Sequence, residues 1–72
     1  MKRTPSVSGS SLYMRVAAEA VGAEQAENWQ QAATLWTEAA GYARRPVNVA
    51  WAEYRASFCS AVHARNALTA EE

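Results

Sequence analysis

The chain has 72 residues, half of them hydrophobic, and its seven Lys and Arg balance seven Asp and Glu, so the formal net charge is zero. A chain of this length forms one small domain and buries only about 60% of the surface that its unfolded form exposes. The basic residues are scattered, which argues against direct nucleic-acid binding, because that activity requires basic side chains clustered on one face.

Several other protein classes are also disfavoured. The single cysteine, Cys59, cannot form an internal disulfide, and no apolar run is long enough to cross a membrane. We therefore expect a cytoplasmic protein without membrane association. One histidine and no aspartate provide no catalytic triad, and a structural zinc site needs four ligands where only Cys59 and His63 are present. We expect no enzyme activity, no cofactor and no metal site.

The N-terminal segment, residues 1–10, contains Pro5, Gly9 and several hydroxyl side chains with almost nothing apolar, which predicts a disordered arm. Residues 11–68 are rich in alanine, glutamate, glutamine and arginine and show no strand alternation, which predicts a single all-α domain. Residues 69–72 are expected to fray.

The first helix is predicted over about 12–26, with Ser10 or Ser11 as its N-cap. Its apolar stripe is narrow and ends at the polar Glu24. The stripe consists of Tyr13, Ala17 and Ala20, widened by Met14 and Val21. Such a small face permits close approach of a second helix.

The second helix is predicted over about 29–45, with Asn28 as N-cap and Gln31 completing a variant of the capping box. One face carries Trp29, Ala33, Trp36 and Ala40 at helical spacing, and a second stripe with Leu35 and Tyr42 runs beside it. A helix that is apolar over so wide an arc is expected to pack on two sides.

The third helix is predicted over about 48–66, because Pro46 should end the second helix and Asn48 is a plausible cap. It has the strongest amphipathic stripe of the chain, formed by Trp51, Tyr54, Phe58 and Val62. Arg44 and Arg45 are expected in the last turn of the second helix, where cations suit the helix dipole.

These patterns divide the candidate residues into two sets. The expected core anchors are Tyr13, Ala17, Ala33, Trp36, Ala40, Trp51, Phe58 and Cys59. The candidate partner-binding residues are Trp29, Leu35, Glu38, Tyr42 and Arg55. For Arg55 an internal ion pair with a glutamate, Glu24 among them, is the alternative that we favour. Cys59 could instead be a redox-active thiol.

The segment from Glu24 to Trp51 resembles one tetratricopeptide unit, with Trp29, the Ala32-Ala33 pair and Trp36 in the second helix and Pro46 before the third. Such a unit cannot bury its faces alone. The chain has too few large apolar residues to seal a core, so we expect self-association or binding to another protein.

A more specific resemblance covers nearly all of the chain beyond the arm. The ordered set that carries it is Tyr13, Ala17, Ala20, Glu24, Trp29, Ala32, Ala33, Leu35, Trp36, Ala39, Ala43, Asn48, Trp51, Ala52, Arg55, Phe58 and Cys59. In this order the chain resembles the ANR family, small bacterial negative regulators of AraC/XylS-type transcription activators. It departs from the family at Glu27, where a glycine is usual, and this argues against a left-handed residue in that turn.

The resemblance implies a repressor that binds the activator protein directly and blocks its dimerisation or its DNA binding. Two alternatives remain open. One is a small DNA-binding regulator that uses Lys2 and Arg3 in the arm and Arg44 and Arg45 at a turn. The other is a homodimeric scaffold module.

Overall fold

The computed structural model describes residues 8–70 of the protein, and side chains within 12–69. The described part consists of three helices without strands: α1 (Ser8–Gln25), α2 (Trp29–Tyr42) and α3 (Pro46–Ala70). The all-α prediction is confirmed. The middle helix, α2, packs against α1 on one side and against α3 on the other. The three-helix domain is thin, with Cα extents of 53 × 25 × 13 Å.

The start of α1 lies earlier than predicted. Ser10 and Ser11 are inside the helix, so neither is its N-cap, and α1 starts at Ser8 instead of about residue 12. Serine and glycine weaken a helix without stopping it, and the helix therefore extends upstream of the first apolar residue. The remainder of the predicted arm, 1–7, lies outside the described residues.

The turn between α1 and α2 corrects the expectation for Glu27, whose φ is +62°. The amide of Asn28 donates to the carbonyl of Ala23 at 2.8 Å, and the amide of Glu27 donates to Glu24 at 2.9 Å. These two bonds form a Schellman motif, in which the left-handed residue is usually glycine. The motif holds Glu27 in a conformation that costs about 1–2 kcal/mol for a residue with a Cβ atom.

Asn28 is the N-cap residue of α2, but the predicted capping box does not form. Its side-chain amide donates to Oε1 of Gln31 at 2.8 Å, and no side-chain bond caps the helix backbone. The side chains of Asn28 and Gln31 were expected to form hydrogen bonds with the backbone, but they are hydrogen-bonded to each other instead.

The turn between α2 and α3 also differs from the prediction. α2 ends at Tyr42, so Arg44 and Arg45 lie beyond its last turn, and α3 begins at Pro46. The carbonyl of Arg45 accepts from the amides of Asn48 and Val49 at 3.0 and 3.1 Å, which places Arg45 at the N-cap and Asn48 inside the helix. Proline suits the first helical position because its missing N–H would have no partner there. α3 also continues to Ala70, past the predicted end and into the segment expected to fray.

The core is small. Its buried residues are Tyr13, Val16, Ala20, Ala23, Ala32, Trp36, Ala39, Ala52 and Cys59. Five of these nine are alanine, which lets the helices approach closely, and Trp36 is the largest. Met14 and Val21, expected to widen the buried face of α1, are 64% and 42% exposed, because that face is rotated toward Val16 and Ala23.

Two of the predicted core anchors on α3 are wrong. Trp51 is 49% exposed and Phe58 is 39% exposed. The next residues along the helix, Ala52 and Cys59, occupy the buried stripe instead, since small side chains there bring α3 close to α2 and leave the large rings at the edge. Tyr13, Trp36 and Cys59 are buried, and Ala17, Ala33 and Ala40 are partly buried against the core.

Candidate protein-binding surface

One carboxylate connects all three helices. Glu24, near the end of α1, accepts from Nε1 of Trp36 on α2 at 2.6 Å. From α3 it accepts two bonds from Arg55, Nη2 to Oε1 at 2.5 Å and Nε to Oε2 at 3.2 Å, which is a bidentate pair. The thiol of Cys59 lies 3.4 Å from Oε2. Arg55 and Glu24 are 20% and 15% exposed, so the pair is largely shielded from water.

The shifts in pKa follow from this geometry. Burial acts to raise the pKa of Glu24, but the hydrogen bonds from Arg55, Trp36 and Cys59 outweigh it and lower that pKa below its ordinary value. Burial, followed by the hydrogen bond to Glu24 and its negative charge, raises the pKa of Cys59 to about 11. A thiol so rarely ionised at neutral pH is a poor nucleophile. This favours Cys59 as an inert core residue over a redox-active one.

The aromatic side chains of α3 form an exposed row, Trp51, Tyr54 and Phe58, which we call the aromatic row. Trp51 meets the edge of Trp36 at a centroid distance of 6.5 Å, and Phe58 meets Trp29 at 6.1 Å. The guanidinium carbon of Arg55 lies 4.5 Å from the Phe58 ring centroid and 5.6 Å from that of Trp51. The ion pair with Glu24 therefore fixes the cation beside the aromatic row.

A shallow groove runs between α2 and α3, with a volume of about 590 Å³. We call it the α2–α3 groove. Its lining residues are Thr37, Ala40, Gly41, Glu53, Ala56 and Ser57. Ala40 and Ala56 are partly buried and form the floor, whereas the other four are exposed. All lining side chains except Glu53 are small, so a partner helix could approach the backbone closely and would meet one negative charge.

The structure does not bring the five candidate partner-binding residues together. Trp29 and Arg55 are linked through Phe58 on the α3 side of α2, and both are partly buried. Leu35 packs against the core. Glu38 and Tyr42 are exposed on α2, and neither lines the α2–α3 groove. Arg55 forms the internal ion pair that was the favoured alternative.

Sequence reasoning predicted an alanine-rich groove but missed its place between α2 and α3, and it missed the central role of Glu24. The sequence shows the small residues Ala40, Gly41, Ala56 and Ser57 that line the groove. It does not show that α2 and α3 pack together so that these residues face each other. Glu24 was recognised as the polar end of a stripe and as one possible partner of Arg55, but not as the shared acceptor for Trp36 and Cys59. No spacing rule predicts that residues 12, 31 and 35 positions later donate to the same carboxylate.

Within residues 8–70, no group of three or more His, Cys, Asp or Glu side chains is arranged to hold a metal ion. None of the described helices has the length and apolar character required to cross a lipid bilayer. Comparisons with protein-family models, with curated proteins and with solved structures returned no match.

Proposed function

We propose that this protein is a negative regulator of transcription that binds an AraC/XylS-type activator directly and blocks its dimerisation or its DNA binding. The observation that carries the protein-binding part is the α2–α3 groove, an open channel of small side chains on a domain with a minimal core. The ordered resemblance to the ANR family supports the activator as the partner.

The shape and chemistry of the groove favour an amphipathic helix as its occupant. Helices pack at interaxial distances of about 8–10 Å, with the shorter distances where contacting side chains are small, as they are along Ala40, Gly41 and Ala56. An apolar stripe lying on the alanine floor would provide helix-in-groove binding. Glu53 at the wall selects a helix with a basic residue beside that stripe.

Two glycines provide a matched pair of variants. A Cβ atom added at Gly41 or at Gly22 would meet nothing within 4 Å, and both residues are exposed in helices. Gly41→Trp places an indole in the α2–α3 groove, whereas Gly22→Trp places the same ring on α1. We expect Gly41→Trp to weaken binding to the purified activator at least ~10-fold, since a filled groove excludes a helix, and Gly22→Trp to bind normally. Calorimetry measures the affinity, and circular dichroism confirms that both variants are folded.

Promoter DNA distinguishes the alternatives. With the activator present, the protein should reduce the activator's gel shift, and the Gly41→Trp variant should not. If the pure protein shifts the promoter by itself, with an affinity that falls steeply as salt is added, it is a DNA-binding regulator. The exposed Arg44 and Arg45 in the α2–α3 turn would then be the first contacts to replace by alanine. Binding to neither the activator nor DNA would leave the homodimeric scaffold.

A further inference from the structure

α3 carries a continuous row of exposed residues at heptad spacing, which we call the α3 seam. Its members are Val47, Trp51, Tyr54, Phe58, Ala61, Arg65 and Leu68, separated alternately by four and three positions. All seven are exposed, and Val47, Tyr54 and Leu68 are 66%, 58% and 69% exposed. Alternating steps of four and three are the a/d pattern of a two-stranded coiled coil.

The α3 seam lies beside the face of α3 that packs on α2, and within the chain only the inner edges of Trp51 and Phe58 contact α2, at Trp36 and Trp29. The side of α3 that meets α2 carries Ala52 and Cys59, each about 100° around the helix from the preceding seam residue. α3 has 25 residues and α2 has 14, so α3 is longer by 11 residues, or about 16 Å. Every side chain from His63 to Thr69 is exposed. An isolated helical extension of this kind is marginal in water unless another surface covers it.

We propose that the α3 seam binds the α3 seam of a second copy of this chain, with the two helices antiparallel. In this register Trp51 faces Leu68 of the second copy, and Phe58 faces Ala61. Tyr54 faces Arg65. Each pair occurs twice by symmetry, so one self-complementary surface provides six layers. Phe58 meets the small Ala61, Tyr54 meets the flexible Arg65, and Trp51 covers the apolar Leu68, so large side chains do not oppose each other at the centre of the interface.

The positions of the charged side chains favour an antiparallel helix pair over a parallel one. In a parallel pair Arg65 would lie beside Arg65 of the second copy at a seam position, and Phe58 beside Phe58. The antiparallel pair instead places each guanidinium on the face of a Tyr54 ring, which attracts a cation. Ala50, Ser57 and Ala64 flank the seam with small side chains that allow the helices to approach closely.

This dimer goes beyond the proposed function and does not depend on it. No seam residue lines the α2–α3 groove. If the protein forms the dimer but does not bind the activator, the dimer stands and the proposed function fails. If it binds the activator as a monomer, the proposed function stands and the dimer fails.

Two neighbouring residues test the interface in the full-length chain. Ala61 lies at the centre of the seam, and Ser60 is exposed beside it but outside the seam. We expect sedimentation equilibrium to show a dimer for the natural sequence. Ala61→Arg should raise the dissociation constant at least ~30-fold, because it brings positive charges together at the interface centre, whereas Ser60→Arg should not change it. Leu68→Glu, in the extension beyond α2, is a second variant that cannot disturb the core and should also dissociate the dimer.

Disulfide trapping tests the direction. A mixture of Tyr54→Cys and Arg65→Cys chains should form the mixed disulfide dimer in mild oxidant, and Leu68→Cys chains alone should not cross-link. Efficient cross-linking of Leu68→Cys would show a parallel pair and overturn the proposal. A monomer at all concentrations, or a dimer that Ala61→Arg and Leu68→Glu leave intact, would overturn it as well.

Discussion

At the scale of single residues, Glu24 connects all three helices through the hydrogen bonds of one carboxylate. Its carboxylate accepts hydrogen bonds from Trp36 on α2 and from Arg55 and Cys59 on α3. Charge-assisted and bidentate bonds of this kind are the strong ones. With a core made mostly of alanine, this network supplies the directional contacts that hold α1 and α3 in register with α2.

Glu24→Gln should destabilise the fold by about 2 kcal/mol, since it removes the charge from several shielded hydrogen bonds. Because the pKa of Glu24 is lower in the folded protein, its contribution is complete above the ordinary value of 4.5 and is lost as the pH falls through the folded pKa. Thermal melts between pH 7 and pH 3 should show a drop in melting temperature that Glu24→Gln flattens. Glu19→Gln, an exposed change on the same helix, is the control, and an equal acid response in both variants would contradict the assignment.

At the scale of elements, two helix ends carry residues that are unfavourable at their positions. α1 ends on a Schellman motif with Glu27 at the left-handed position. α3 starts with Arg45 as N-cap, where a short polar acceptor is preferred and where a positive charge opposes the helix dipole. A better-suited residue at either position should therefore increase the free energy of unfolding.

Glu27→Gly should stabilise the protein by about 1 kcal/mol, since glycine adopts a left-handed conformation without a Cβ penalty. In a domain of this size that corresponds to a rise of roughly 4–8 °C in melting temperature. Calorimetric melts measure it. Glu27→Ala removes the same carboxylate but keeps the Cβ atom, so it should give no comparable gain; if it does, charge rather than backbone strain is the cause.

At the scale of the whole molecule, three helices in a thin layer give the domain two broad surfaces and a core only one side chain deep. Trp36 is 2% exposed and is the largest side chain in that core, where Tyr13 is the other buried ring, and it also donates to Glu24. Most of the large apolar side chains of α3 lie at its edge, in the aromatic row and the α3 seam, where they are exposed.

Trp36→Ala should unfold the domain, because truncation of a buried tryptophan costs about 3–5 kcal/mol and a chain of this size has little more to lose. Glu53→Arg should keep the melting temperature, since Glu53 is exposed, and should weaken inhibition of the activator, since Glu53 lines the α2–α3 groove. Thermal melts and a promoter reporter assay measure the two effects. Equal losses of melting temperature in the two variants would contradict this division between core and surface.

The sequence by itself determined the helical class, the central position of Trp36 on α2 and the row of aromatic side chains at helical spacing on α3, because these depend on spacing within one helix. Only the tertiary structure decided which side of α3 is buried. Small residues such as Ala52 and Cys59 bring helices closer than Trp51 and Phe58 would, and this preference appears only when α2 lies opposite. The same holds for the Glu24 network and the α2–α3 groove, since each joins residues from different helices whose relative orientation no local pattern specifies.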